Sequence, residues 1–112
     1  MNLQTIIDKL QLTVLSKPRD LSSITPNGGY TSDLLSCVMA GAKNGNIWIT
    51  LQAHMNIVAV AAMLDVAAVI ITENAQPDEA TLAKANEQGI ILLSTPKPSY
   101  EICGSLWELN LR

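Results

Sequence analysis

The stretch VAAVIITENAQPDEATLAKANEQGIILLST, residues 66–95, decides the fold. Its two ends are short apolar runs without polar alternation, the pattern of strands covered on both faces of a parallel sheet. Between them, Pro77, Asp78 and Glu79 stand where a helix would begin, and Gly89 stands where it would stop. Parallel strands cannot be joined by a tight turn, so this strand, helix and strand read as one crossover unit.

The same pattern extends outward. NIWIT (46–50) is a third apolar run, followed by IVAVAAML (57–64), and the spacing predicts a helix there. A further helix is predicted over Ser32–Ala42, with Thr31 or Ser32 as its cap and Asp33 in its first turn. Leu34, Leu35, Val38, Met39 and Ala42 would share its inner face. Tyr100–Leu109 reads as the last helix, with Ile102, Cys103, Leu106 and Trp107 inward. At the other end, Leu3, Ile6, Ile7 and Leu10 recur at i, i+3, i+4 and i+7 and predict an opening helix. LTVL (12–15) reads as a strand, DLSSIT (20–25) as a weaker one, and PNGGY (26–30) as a turn whose glycines suit positive φ. Strands alternating with helices predict one three-layer α/β/α domain over residues 1–112, with a mostly parallel sheet of about four to five strands.

Composition narrows the function classes. The interior must be built from Val, Ile, Leu, Ala and Met around two tryptophans, because the chain has no phenylalanine. Ten acids against seven bases leave a net charge of −3, and no basic cluster offers a footprint for nucleic acid. Cys37 and Cys103 have neither metal-ligand spacing nor a disulfide framework and are too few for an iron–sulfur cluster. They are expected to be buried small residues in a reducing cytoplasm, with no metal and no cofactor. The longest apolar run, 57–71, is broken by Asp65 and is too short to cross a bilayer, so no membrane association is expected.

Candidate chemistry gathers where the strands would end. The turns after them carry Thr50, Gln52, His54 and Asn56, then Thr72 and Glu73, then Thr95, at the sheet edge where open α/β proteins bind ligands. Gln52, His54, Asn56 and Thr72 form the candidate ligand site: an imidazolium and free helix amides would face an anion. Each also has a structural reading, with His54 as a turn residue bonded to backbone, Asn56 as a helix cap, and Glu73 and Asp78 as complements of a helix dipole. Gly28-Gly29 lacks the spacing and lysine of a phosphate-binding loop, and Ser32 and Ser36 have no nucleophile context, so no catalytic residue is assigned.

The segments GGYTSDLLSCVMAGAKNGNIWIT, AHMNIVAVA and IITENAQPDEATLAKANEQGIILLSTPKPSYEICG, together about three quarters of the chain, resemble the DRTGG family. That family is similar to the N-terminal domain of HPr kinase/phosphorylase and to the insert between CBS domains of regulatory pyrophosphatases. Where the family has an Asp-Arg pair this chain has Leu51-Gln52-Ala53-His54, and in place of Thr-Gly-Gly it has Thr72-Glu73-Asn74. Only Thr72 carries over. The kinase activity belongs to a separate domain with a phosphate-binding loop and is not implied. Because stand-alone versions occur beside iron-only hydrogenase genes, the resemblance implies a regulatory or assembly domain in an anaerobic redox or hydrogenase context, with a redox or hydrogenase-related protein partner. The other readings are a sensor of a small, nucleotide-like anion at the strand ends and, from a different class, a small hydrolase or transferase. A homodimer is expected, since Ile57–Leu64 has no polar face.

Overall fold

The computed structural model describes residues 1–112. In chain order the elements are α1 (Leu3–Leu10), β1 (Thr13–Val14), β2 (Gly28–Thr31), α2 (Leu35–Gly41), β3 (Asn46–Thr50), α3 (Asn56–Leu64), β4 (Ala68–Ile71), α4 (Glu79–Gln88), β5 (Leu92–Ser94) and α5 (Ser99–Glu108). The strands form one sheet in the order β1-β5-β4-β3-β2; β1 runs antiparallel to β5 and every other pair is parallel.

The unalternated apolar runs are explained by two cores. Along β3, Ile47 and Ile49 pack on one side of the sheet and Trp48 on the other; along β4, Ala68 and Ile70 oppose Val69 and Ile71. The first core is closed by α1 and α5, through Leu3, Ile6, Ile102 and Leu106 among others, and the second by α2, α3 and α4. Three layers result. With eight residues, α1 is too short to hold its shape alone, and its four buried side chains, Leu3, Ile6, Ile7 and Leu10, keep it in place.

The predicted ends of α4 are those observed: Asp78 accepts from the Thr81 amide as N-cap, and Gly89 ends the helix at φ 71°. Elsewhere the structure corrects the expectations. The glycine pair is not a turn but the start of β2, with neither glycine at positive φ, because Gly28 and Gly29 pair with Asn46 and Ile47. DLSSIT is not a strand. The Asp20 carboxylate binds the Ser22 amide and hydroxyl, and the carbonyls of Leu21 and Ile24 accept from the Gln4 and Leu3 amides, so the segment closes the start of α1.

Further corrections concern faces and caps. Trp107 is 59% exposed and Leu34 is 61% exposed, since the inner faces of their segments are filled by Leu106 and Val38. Cys37 is exposed and Cys103 half-buried, on helices of opposite layers. Asn56 does not cap α3; it lies inside the first turn, after an N-cap position held by Met55 with no side-chain bond. Apolar from Ile57 to Leu64, α3 is flanked by α2 and α4, which leaves Ala59 and Met63 outside.

Candidate functional site

Helices α2, α3 and α4 follow β2, β3 and β4 on one face, whereas α5 follows β5 onto the other. Neighbouring strands whose helices leave in opposite directions create the crevice of an open α/β sheet. Here that divergence falls between β4 and β5, so the turns at Thr72–Ala75 and Thr95–Ser99 face each other.

The chain itself fills this crevice. Thr72 Oγ1, fully buried, lies 2.5 Å from Ser99 Oγ. Glu73 Oε2 accepts the Ser99 amide at 2.9 Å, so a carboxylate stands at the N-terminus of α5, where the Pro98 cap position supplies no side-chain bond. Sequence reasoning placed Glu73 at the helix that follows it; its carboxylate instead serves α5, 26 residues further on. The turn is bound by Glu73 N–H to the Lys97 carbonyl at 3.0 Å and Asn74 N–H to the Thr95 carbonyl at 3.2 Å.

Glu73 and Asn74 both sit at φ 61°, in the left-handed region that favours glycine. These are the two positions at which the Thr-Gly-Gly pattern has its glycines. The turn therefore keeps a glycine-type backbone without glycine, and the Glu73 side chain gains a bond that glycine could not make.

A second cluster ties β2 to β3. Asp33, predicted in the first turn of α2, lies before that helix, and its Oδ1 accepts from Thr50 Oγ1 and the Leu51 amide, both at 2.8 Å. Gln52 Nε2 donates to the Asp33 carbonyl at 3.1 Å, and the Gln52 amide to Thr50 Oγ1 at 3.1 Å. His54 is exposed, and its Nδ1 accepts from the Asn56 amide at 3.3 Å, the role a capping side chain would have had. The Asp78 carboxyl at the neighbouring α4 cap is held below the usual range chiefly by the Thr81 amide and hydroxyl.

Of the four candidate residues, Gln52 and His54 lie in the turn between β3 and α3, and Asn56 is the first residue of α3. Thr72 is turned away from them, because its hydroxyl meets α5 on the other side of the sheet. None of the four lines any of five surface cavities. Two of those cavities lie instead along β2. Ser99 and Asp33 were not singled out as contributors to these clusters, since each acts through a partner at least 17 residues away.

The crystal structure of the CBS and DRTGG domains of the regulatory region of Clostridium perfringens pyrophosphatase, complexed with activator, diadenosine tetraphosphate, is similar to this chain with a TM-score of 0.70 and 20% sequence identity. The match covers 89% of this chain and 43% of that one, so this chain spans less than half of that structure. No family profile and no curated protein matches the sequence. At this identity the likeness is one of fold, and the fold is the DRTGG-like, mostly parallel α/β arrangement expected from the sequence.

Proposed function

We propose that residues 1–112 form one DRTGG-like domain that regulates or assembles other proteins without catalysing a reaction, and that it works as a homodimer. The observation that carries this reading is the use of polar groups at the strand ends. Asp33, Thr50, Gln52, Thr72, Glu73 and Ser99 are bonded to one another or to the backbone, holding turns in place instead of converging on a reacting atom. A neighbour in fold that belongs to the regulatory region of an enzyme supports the same reading. The anaerobic redox or hydrogenase setting is the context we infer from the sequence resemblance, and a cytoplasmic one is inferred from the two cysteines without a disulfide framework. Support for the dimer comes from α3, where Met63 is 67% exposed on a helix without a polar residue after Asn56. Light scattering should give twice the 12.0 kDa chain mass, falling to one with Met63→Lys. A monomer at all concentrations rejects the dimer, and turnover that disappears with His54→Ala rejects the non-catalytic reading.

A second reading, a sensor of nucleotide-like anions, is favoured by the exposed His54 and Asn56 and by the activator in the neighbouring structure. Its site would be Gln52, His54 and Asn56, with Thr72 acting only through β4. Phosphate, AMP, ATP and diadenosine tetraphosphate should then shift the imidazole resonances and raise the melting temperature, and His54→Ala should abolish both effects. Absence of both effects with all four anions rejects it.

A further inference from the structure

The open edge of the sheet at β2 lies between two cavities of different chemistry. In a parallel ladder, alternate residues turn both backbone groups to the same side. The Thr50 carbonyl faces β4, where it accepts from Thr72, and the Ile49 carbonyl faces β2, where it accepts from the Thr31 hydroxyl. With Gly29 opposite Ile47 and Thr31 opposite Ile49, Gly28 and Tyr30 bond to β3 while Gly29 and Thr31 turn their N–H and C=O outward. Gly28 is buried beside the Asn46 side chain and the Arg112 main chain, whereas Gly29 and Thr31 are exposed.

Nothing in the chain pairs with that edge. The residues after α5 run beside it, but the Leu111 amide donates to Leu106. The strand Gly-Gly-Tyr-Thr carries neither a charged side chain nor a proline of the kind that guards edges. On the α5 side lies an apolar cavity of about 200 Å³, floored by Gly29 and Ile49 and walled by Leu106 and Trp107. On the α2 side lies a polar cavity of about 510 Å³ with asparagines and Lys43; Arg112 borders both. Neither Lys43 nor Arg112 takes part in a salt bridge with a carboxylate, and the Arg112 guanidinium rests 5.0 Å over the Trp107 ring.

We propose that β2 is a docking edge for an extended segment of a partner protein, added as a sixth strand. This deepens the assembly reading above and rests on it. The backbone of the segment bonds Gly29 and Thr31, and its side chains alternate between the two cavities. The fitting segment carries an aliphatic or aromatic side chain for the Trp107 cavity. An Asp or Glu an odd number of positions away faces Lys43 and Arg112. A symmetric second copy at this edge would bring those cations toward their own counterparts, which disfavours it.

The test is selection from a random twelve-residue peptide library on the purified protein, followed by affinity measurement and amide exchange. Enriched peptides should show the apolar–acidic pattern and slow exchange of the Gly29 and Thr31 amides. Gly29→Val should weaken binding by roughly tenfold or more, the loss of one anchor. Valine suits a strand, and a Cβ at Gly29 meets nothing closer than the Ile47 carbonyl oxygen and Ile49 Cδ1, both at 3.7 Å, so the variant fills the cavity without breaking the fold. Lys43→Glu should weaken binding comparably from the other side, with melting temperatures of both variants near that of the parent. No enrichment, or peptides that leave Gly29 and Thr31 exchange unchanged, overturns the proposal. So does a homodimer that dissociates with Gly29→Val, or AMP, ATP or diadenosine tetraphosphate binding that this substitution blocks. Turnover by the chain would reject the non-catalytic reading while leaving the peptide result to stand or fall separately.

Discussion

The hydroxyls of Thr72 and Ser99 lie 2.5 Å apart, joining the end of β4 to the first turn of α5 across a crevice that in other open α/β sheets holds a ligand. Because Thr72 is fully buried, replacing one partner strands the other. Thr72→Val and Ser99→Ala are each expected to cost about 1–3 kcal/mol in urea unfolding. The double variant should cost less than the sum, since the second change removes a group already left without its partner. Additive losses would show that the two hydroxyls do not interact.

The left-handed turn at Glu73 and Asn74 makes a separate prediction. Asparagine tolerates φ 61° better than alanine and worse than glycine. Asn74→Ala should therefore be less stable than Asn74→Gly by about 1 kcal/mol in denaturant titration. Glu73→Gly relieves the backbone but removes the acceptor of the Ser99 amide, so the two contributions oppose each other and the net effect should be smaller than the larger of them.

The two tryptophans should report different environments. Trp48 is fully buried and its indole N–H donates to the Ser32 carbonyl at 3.0 Å, whereas Trp107 is 59% exposed. Trp48→Ala should cost about 3–5 kcal/mol, against roughly 0.5 kcal/mol for Trp107→Phe. Acrylamide should quench the fluorescence that Trp107→Phe removes and spare most of the remainder.

Acid stability should depend on Asp78 and Asp20. Both carboxyls are lowered in the folded chain, Asp78 first by the Thr81 amide and Asp20 first by the Ser22 hydroxyl. A depressed folded value means that the contribution is present above the unfolded pKa, near 4, and is lost as pH falls through the folded value below it. Asp78→Asn keeps an acceptor for Thr81 and should hold stability at neutral pH while flattening the loss below about pH 4. Asp78→Ala should be destabilised at neutral pH as well, where the cap itself is lost. Thermal melts between neutrality and about pH 2 separate the two.

What the sequence determined on its own is the part governed by local periodicity and by residues with fixed backbone preferences. The apolar runs at 46–50, 66–72 and 90–95 carry the pattern of strands buried on both faces, and Asp78 and Gly89 marked the ends of α4. The role of Gly28-Gly29 was not legible there. Glycine's freedom suits a turn, and only pairing with Asn46 and Ile47 made these residues an edge strand. Tertiary structure alone also decided the candidate site. Residues two apart on a strand share a face, but which helix covers that face depends on the order in which strands assemble. The observed order sent Thr72 to Ser99, Glu73 to the start of α5 and Asp33 to Thr50, and left the His54 side chain in solvent, bonded to the amide of Asn56.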